Sequence, residues 1–236
     1  MVLAAGRGIR MRPLSDKRPK PMLEVGGKPL VLWLLEALHR SGCRQAVINT
    51  AWLGEQLAEF LGEPQPTLAG LRIHYSHEGK DFGQALETAG GIARALPHLG
   101  EAFWVSASDV YAPRFSYDRQ AEARFLAGKQ LAHLWLVPNP AQHSFGDFGL
   151  AEDRLLFNEA PLRFTYSTIG LYRAEFFSSL PFGNPQGLVR PLAPMLRAAI
   201  DNRQVTGELY HGAWTDVGTA ERLAQLNSSS PIHHEP

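Results

Sequence analysis

The stretch LAAGRGIRMRPLSDKRPKPM, Leu3 to Met22, combines a dense run of cations with two closely spaced glycines. From Arg7 to Lys28 the chain carries seven Lys and Arg against two Asp and Glu, a local balance of 7 − 2 = +5. Gly6 and Gly8 allow backbone N–H groups to approach a ligand closely, and the cationic side chains add charge-assisted hydrogen bonds. This chemistry favours a phosphate-rich ligand.

A solvated basic loop is the alternative interpretation of such a charge run. The stretch is not the G-x-x-x-x-G-K-S/T phosphate loop, and GRGIRM lacks the third glycine of the G-x-G-x-x-G dinucleotide fingerprint. From its residues alone, the stretch predicts a polyphosphate or another phosphorylated ligand and goes no further.

Two aspartates occupy positions where a carboxylate could hold a divalent cation. Asp109 follows the apolar run at 103–105, which indicates a buried strand, and Asp216 lies in AWTDVGT just before the last helical pattern. Mg²⁺ typically takes one or two protein carboxylates and completes its shell with phosphate oxygens and water. The alternative is an ordinary one, since both aspartates could be turn or helix caps.

The elements that must position these residues alternate between strand and helix patterns. The sequence predicts helices at 29–41, 53–61, 88–96, 117–126, 192–202 and 219–227, and a long loop at 5–27. It predicts strands at 1–4, 46–49, 71–75, 103–105, 131–137, 164–172 and 205–210, with a hairpin at 149–157. This order favours an α/β fold with a Rossmann-like mixed, mostly parallel sheet flanked by helices, which binds ligands beyond the carboxyl ends of its strands. We expect one domain at 1–227 and a frayed tail at 228–236.

Composition narrows the class of protein. A chain of 236 residues with 44% hydrophobic content can bury a sizeable core, and 23 Lys and Arg balance 23 Asp and Glu. That balance and the lack of aromatic residues from Arg7 to Lys20 count against a nucleic-acid binder. The single Cys43 favours a reducing compartment, and no apolar run of about 18 residues or signal-peptide pattern occurs. We therefore expect a cytoplasmic protein without a membrane partner.

The stretch Leu3 to Met22 resembles the N-terminal signature of the sugar-phosphate nucleotidyltransferases, L-A-A-G-x-G-T-R-(M/L)-x-P-L-T-x-x-x-P-K-P-(L/M). Ile9 and Ser15 stand where the signature commonly has Thr, and neither change removes a charged group. The resemblance implies a loop that wraps a nucleoside triphosphate, with Arg10 and Lys20 as catalytic phosphate stabilisers. The nucleotide-binding residues that it implies in this loop are Ala5, Gly6, Arg7, Gly8 and Ile9.

The reaction that the resemblance implies is attack by a sugar 1-phosphate oxygen on the α-phosphorus of the triphosphate, with release of pyrophosphate. A phosphate monoester has a second pKa of about 6, so the nucleophile is already an anion and needs no general base. The resemblance also implies Mg²⁺ as the cofactor, because Asp109 and Asp216 match the family's G-D after a central strand and its W-x-D-V/I-G-T. Ser108 replaces the glycine of the first motif.

Further segments resemble the substrate contacts of the family. YSHEGKDFGQALETAGG resembles the segment that closes over the base, and it implies nucleotide contacts at Glu78, Glu87 and Thr88. Glu78 suits the imide N–H of uracil or the N1–H of guanine, and Thr88 could instead cap a helix. GDFGL, FNEAP and YSTIGLY resemble sugar-facing segments, although Asp147 could instead serve a hairpin turn. The implied sugar-binding residues are Asn139, Gly146, Asp147, Glu159 and Thr168.

Within the family, NTAWLGEQL, LETAGGI and AWTDVGT are most similar to the N-acetylmuramate 1-phosphate uridylyltransferase branch of peptidoglycan recycling. The expected substrates are UTP and N-acetylmuramate 1-phosphate, and Arg163 or Arg190 is available for the sugar carboxylate. The alternatives are GTP with mannose 1-phosphate and UTP or dTTP with glucose 1-phosphate. A non-catalytic nucleotide-sugar sensor is a rival of another class, but it should have lost Lys20 or one of the two aspartates.

Overall fold

The computed structural model describes residues 1–229. The strands in this part of the chain are β1 (Val2–Leu3), β2 (Glu24–Val25), β3 (Lys28–Pro29), β4 (Gln45–Thr50), β5 (Arg72–His77), β6 (Ala102–Ala107), β7 (Val110–Tyr111), β8 (Ala132–Val137), β9 (Gly149–Leu150), β10 (Leu156–Phe157), β11 (Thr165–Arg173), β12 (Val205–Leu209) and β13 (Thr215–Asp216). Seven of these described strands form one sheet in the order β12-β8-β11-β6-β1-β4-β5.

The central sheet is mixed and mostly parallel. β1 pairs parallel with both β4 and β6, and β4–β5 and β8–β12 are also parallel pairs. β11 runs antiparallel to β6 and to β8, and its register with β8 shifts between Tyr166 and Gly170. The sheet therefore confirms the fold class that the alternation of strands and helices predicted.

Helices cover both faces of this sheet. Within residues 1–229 they are α1 (Leu14–Lys17), α2 (Leu30–Arg40), α3 (Gly54–Gly62), α4 (Glu78–Phe82), α5 (Glu87–Ala95), α6 (Arg119–Ala127), α7 (Leu192–Asp201) and α8 (Ala220–Ser229). α5 and α7 pack on one face through Ile92 and Leu196, and α2, α3 and α6 pack on the other through Leu35, Leu57 and Phe125. Because both faces are covered, a central strand such as β8 is buried along most of its length.

A third apolar cluster fastens the cationic stretch to the C-terminal part of the chain. Met11, which is fully buried, packs with Leu30, Val217 and Leu223. The sequence predicted an irregular loop here, but the structure contains short helical turns at Ile9–Met11, Leu14–Lys17 and Lys20–Met22. The buried Met11 therefore gives this polar segment a fixed path.

The last helix, α8, extends past its predicted end. α8 continues through Ser229, two residues beyond the predicted end of the last helix, and the rest of the predicted tail lies outside the described residues. In residues 1–229, no helix has the length and apolar character needed to cross a membrane.

Candidate active site

A cleft of about 650 Å³ opens beyond the carboxyl ends of β1, β4 and β6. This edge of an α/β sheet is the usual place for a ligand. The cleft brings together residues from the phosphate loop, here defined as residues 5–20, the turn after β6, and the base loop, here defined as residues 79–88. The predicted site residues in its wall are Ala5, Gly6, Gly8, Lys20, Glu78, Glu87, Thr88, Asp109, Asp147 and Thr168.

The remaining predicted residues of the phosphate loop line a smaller hollow of about 260 Å³. Arg7, Ile9 and Arg10 lie in its wall, and Gly8 and Lys20 belong to both the hollow and the main cleft. The Arg7 guanidinium lies 4.5 Å from the centre of the Trp52 ring. Arg7 is therefore braced at the rim, and Arg10 shares its hollow with Lys20.

Gly8 is a position that requires glycine. Its φ of 66° is in the left-handed region, and a Cβ there would lie 3.3 Å from Ser15 Cβ and 3.4 Å from Lys20 Cβ. The Gly8 carbonyl accepts hydrogen bonds of 2.8 Å from Ser15 Oγ and from the Met11 N–H. These bonds fix the bend of the phosphate loop and leave space for the Lys20 side chain beside it.

Lys20 and Asp109 form an ion pair in the cleft wall. Their side chains are 12% and 32% exposed, so the pair is partly shielded from water. Ser108 fixes the turn after β6, because its N–H and its Oγ both donate to the Leu3 carbonyl, at 3.0 and 2.8 Å. The hydroxyl at this position thus ties the Asp109 turn to β1.

Asp216 reaches the same region through a two-stranded ladder. β13 pairs antiparallel with β7 so that Asp216 lies opposite Val110, and the Val217 N–H donates to the Asp109 carbonyl at 2.8 Å. The Asp216 carboxylate forms an ion pair with Arg222 and accepts a hydrogen bond of 3.0 Å from Gln142 Nε2. Two aspartates that are distant in sequence are therefore neighbours in the fold.

The donor set at this point fits Mg²⁺. In the described part of the chain, no group of three or more His, Cys, Asp and Glu side chains could hold a metal ion, so the protein offers the two aspartates rather than a closed cage. Mg²⁺ is typically bound by one or two carboxylates together with substrate phosphates and water. Asp109 and Asp216 could hold such an ion with a triphosphate present.

Glu78 lies in the cleft wall and is held by two hydrogen-bond donors of the protein. This residue is fully buried at the start of α4, and its two carboxylate oxygens accept hydrogen bonds of 2.7 Å from Asn49 Nδ2 and from the Leu86 N–H. Burial raises the pKa of the Glu78 carboxyl, and these two hydrogen bonds oppose the rise. Each carboxylate oxygen therefore already accepts one hydrogen bond within the protein, and the contact with the base stays a prediction.

Glu87 and Thr88 lie in the cleft wall at the start of α5. Glu87 is exposed and has a φ of 59°, a strained conformation for a residue with a side chain. The first turn of α5 is capped by backbone, because the Ala89 and Gly90 N–H groups donate to the Arg190 carbonyl at 2.9 and 3.1 Å. The Thr88 side chain is therefore not needed as the helix cap.

Two predicted sugar-binding residues lie in the cleft wall. Asp147 accepts a 2.8 Å hydrogen bond from the Tyr166 N–H through Oδ2, and its Oδ1 lies 3.0 Å from His143 Nε2. Thr168 sits at the register shift of β11 with a φ of 62°, and its buried Oγ1 has no hydrogen-bond partner. An unpaired hydroxyl beside a cleft is suited to a ligand hydroxyl or carbonyl.

Three other residues predicted on the sugar side lie outside the cleft wall, and their sugar contacts stay predictions. Asn139 ties its own loop together, donating through Nδ2 to the carbonyls of Ser144 and Arg163. Gly146 has a φ of 66°, and a Cβ there would lie 2.7 Å from the Arg163 carbonyl carbon. The Glu159 side chain is 91% exposed.

Comparisons with known proteins bear on this site. A family profile described as nucleotidyl transferase matches residues 1–231. The chain is 43% identical to N-acetylmuramate alpha-1-phosphate uridylyltransferase from Neisseria meningitidis, across 97% of this chain and 96% of the relative. A protein of the same name from Caulobacter vibrioides is 32% identical, across 92% of this chain and 90% of its own.

The chain belongs to the nucleotidyl transferase family. Two solved structures that resemble this nucleotidyl transferase are HddC from Yersinia pseudotuberculosis in complex with GMP-PN and CTP:phosphocholine cytidylyltransferase from Streptococcus pneumoniae. The TM-scores are 0.73 and 0.70 at 15% and 18% identity, and each match covers 97% of this chain and at least 96% of the other. At such identities these likenesses confirm the fold alone.

Some side chains of this nucleotidyl transferase site carried little signal in the sequence. Asn49 is a polar residue at the end of a buried apolar strand, and Arg222 is an ordinary helix residue until β13 brings Asp216 beside it. Trp52 braces the phosphate loop from outside, because its Nε1 donates to the Ser15 carbonyl at 2.9 Å. Only the position of Asn49, one residue before the end of β4, could have marked it.

The cations of the sugar side also differ from the prediction. Neither Arg163 nor Arg190 lies in the cleft wall. The backbone of Arg190 forms hydrogen bonds with the base loop and with α5. Arg197, on α7, lies in the wall instead, and its guanidinium is 5.5 Å from the centre of the Phe148 ring. The wall of the nucleotidyl transferase cleft therefore contains two cations, Lys20 and Arg197.

Proposed function

We propose that this nucleotidyl transferase joins UTP and N-acetylmuramate 1-phosphate to give UDP-N-acetylmuramate and pyrophosphate, a step of peptidoglycan recycling. The observation that carries the proposal is the 43% identity, over nearly the whole of both chains, to a relative named for this sugar phosphate and this transfer. A cytoplasmic location is part of the proposal, and the lone Cys43 is consistent with a reducing compartment.

The chemistry needs two anions to react with each other. The sugar 1-phosphate needs no general base to act as the nucleophile, since its second pKa is about 6 and it is already an anion near neutral pH. The protein therefore has to align the two substrates and offset the charge that builds on the α-phosphate during in-line attack. Lys20 and Arg10, which share one hollow beside the phosphate loop, are suited to that role.

Mg²⁺ is the proposed cofactor, with Asp109 and Asp216 as the residues that would hold it. When bound, the ion would neutralise negative charge on the triphosphate. Lys20 and Arg222 are the present partners of the two carboxylates, so the aspartates keep their charge balanced in its absence. Asp147 and the unpaired Thr168 hydroxyl remain candidates for sugar contacts.

A pyrophosphate-release assay tests the proposal. The protein is incubated with Mg²⁺ and each of UTP, GTP and dTTP, paired in turn with N-acetylmuramate, N-acetylglucosamine, mannose and glucose 1-phosphates. We expect the highest kcat/KM for UTP with N-acetylmuramate 1-phosphate. A preference for GTP or dTTP would refute the uridylyl assignment, and no release from any pair would leave the non-catalytic sensor as the better interpretation.

Arg197 supplies a structural basis for choosing an acidic sugar. An N-acetylmuramate differs from N-acetylglucosamine by a lactyl ether that ends in a carboxylate. Arg197 lies in the cleft wall, to which Phe148, Leu192 and Leu196 also contribute. An apolar wall with one guanidinium suits a substituent that has a methyl group and a carboxylate.

We expect Arg197→Ala to raise KM for N-acetylmuramate 1-phosphate by about 10-fold or more, because a charge-assisted hydrogen bond is lost. KM for N-acetylglucosamine 1-phosphate should change by less than about 2-fold, since that sugar has no carboxylate to lose. Steady-state kinetics with both sugars measure the difference. Arg203→Ala, an exposed cation beyond the end of α7, is the matched control. Equal losses for both sugars would contradict the assignment.

A further inference from the structure

Three hydrogen bonds connect the phosphate loop to the base loop beneath the floor of the cleft. The Ala4 N–H donates to Asn49 Oδ1 at 2.8 Å, and Asn49 Nδ2 donates to Glu78 Oε1 at 2.7 Å. The Leu86 N–H donates to Glu78 Oε2 at 2.7 Å. Ala4 directly precedes the phosphate loop, and Leu86 lies in the base loop between Ala85 and Glu87, which are both in the cleft wall. We call these bonds the Asn49–Glu78 relay.

The polarity of this relay is fixed from both ends by backbone donors. Because the Ala4 N–H needs an acceptor, Asn49 presents its oxygen to Ala4 and its NH₂ group to residue 78. Because the Leu86 N–H is also a donor, residue 78 has to accept hydrogen bonds on both sides. A carboxylate does so, whereas a glutamine would place its own NH₂ group against one of the two donors.

Water cannot easily take the place of a missing partner in the relay. Asn49 is 3% exposed, and Glu78 and Leu86 are 0% exposed. Helix α5 passes directly against the relay, because a Cβ on Gly91 would lie 2.4 Å from Glu78 Oε1 and 2.8 Å from Asn49 Nδ2. The chain therefore keeps a buried carboxylate, held by neutral donors, at the junction of three elements that line the cleft.

Such an arrangement costs stability. Burial is the largest influence on the pKa of Glu78 and raises it, which means that the surroundings disfavour the ionised form. An apolar side chain would avoid this cost, but it would leave the Asn49 and Leu86 donors unpaired. Residues that break a local rule of stability in this way are found most often where function requires them.

We propose that Asn49 and Glu78 are positioning residues that hold the base loop at a fixed distance from the phosphate loop, so that one nucleotide engages both. The inference rests on the proposed function, because it needs a ligand with a base at one end and phosphates at the other. Both residues border the cleft but are almost fully buried, so each acts through the backbone that it holds. The relay therefore affects the affinity for the nucleotide rather than the rate of the chemical step.

A swap of polarity tests the relay directly. Glu78→Gln alone places two NH₂ groups face to face, and Asn49→Asp alone places two carboxylates face to face. In the double variant, the two oxygens of residue 49 accept from the Ala4 N–H and from the new amide at 78, whose own oxygen accepts from the Leu86 N–H. Each of the three hydrogen bonds of the relay then has a donor and an acceptor again, with the charge moved from residue 78 to residue 49.

We expect each single variant to raise KM for UTP by about 10-fold or more, the cost of leaving one buried donor or acceptor unpaired. kcat and KM for the sugar 1-phosphate should each change by less than about 3-fold, which is smaller than the change expected in KM for UTP. The double variant should return KM for UTP to within about 3-fold of the wild type. Hydrogen exchange at the Leu86 amide should rise in both single variants and fall again in the double variant, with no nucleotide present.

Tyr117→Phe is the control for an ordinary loss of a buried hydrogen bond. Tyr117 Oη donates to Ser106 Oγ at 3.1 Å on the opposite face of the sheet from α5, so its loss should lower the melting temperature without changing KM for UTP. The inference is overturned if the double variant is no better than the weaker single variant, or if Leu86 exchange is unchanged throughout. A wild type that prefers GTP or releases no pyrophosphate counts against the proposed function, whereas the exchange measurement still decides the relay.

Discussion

Asp109→Asn and Asp216→Asn are each expected to lower kcat by at least about 1,000-fold, at the upper end of the effect of removing one electrostatic group from an active site. The reason is the ladder between β7 and β13, which places Asp216 beside the Asp109 turn, where we propose that a triphosphate and Mg²⁺ are bound together. Asparagine keeps the size of the side chain and removes its charge, so the paired strands should remain. Pyrophosphate release measures turnover, and circular dichroism reports the fold.

A second measurement separates loss of the cation from loss of the fold. Binding of Mn²⁺ in the presence of UTP can be measured through its effect on the relaxation of water protons. We expect this binding to be weaker in both variants. Asp118→Asn is the matched control, because Asp118 caps α6 through a 2.9 Å bond from the Gln120 N–H and Asn is an equally good cap. Wild-type turnover in both Asp109→Asn and Asp216→Asn would refute the assignment of the metal ligands.

Lys20→Met is expected to lower kcat by about 100-fold to 1,000-fold, the range found when one preorganised donor is removed from a site of developing charge. Methionine keeps the apolar stem that packs beside Gly8 and removes the ammonium that pairs with Asp109. The loss should be larger in kcat than in KM for UTP, because the charge matters most while the α-phosphate reacts. Steady-state kinetics with saturating sugar 1-phosphate measure both constants.

Lys17→Met removes the same charge from the same stretch at an exposed position. It lowers the local excess of positive charge by the same amount as Lys20→Met. The comparison therefore separates the effect of the overall charge of the loop from the effect of the position of the Lys20 ammonium. We expect Lys17→Met to retain kcat within about 2-fold at moderate salt, where exposed charges are screened. Similar losses in the two variants would mean that the loop acts by its overall charge.

Local patterns of apolar residues predicted most of the fold. The predicted helix at 29–41 is observed as Leu30–Arg40, and the predicted hairpin at 149–157 is observed as the β9–β10 pair. Such elements are visible because one face of each has to be buried and the spacing of apolar residues records that face. The turns inside the phosphate loop were missed because they are short and depend on Met11 packing against Val217, a contact between the two ends of the fold.

The site was predictable where a long motif fixed several residues together, and less so where a single residue stood alone. Gly6, Gly8 and Lys20 come from one continuous signature, and the structure places all three in the cleft wall. Glu78 looked like a free acceptor after a strand, because the sequence does not show that Asn49 and Leu86 supply its donors. Glu159 has a suitable side chain for sugar contacts, but it is exposed and lies outside the cleft wall.

The β7–β13 ladder has a consequence for synthesis of the chain. The ribosome makes the phosphate loop and Asp109 well before it makes Asp216, and at roughly 5–20 residues per second the interval lasts about 5–20 seconds. During that time Met11 lacks its packing partner Val217, and the phosphate loop lacks the segment that anchors it. A nascent chain thus builds its central sheet first and completes its catalytic cleft among its last steps, so premature termination before β13 should give a folded sheet without a working site.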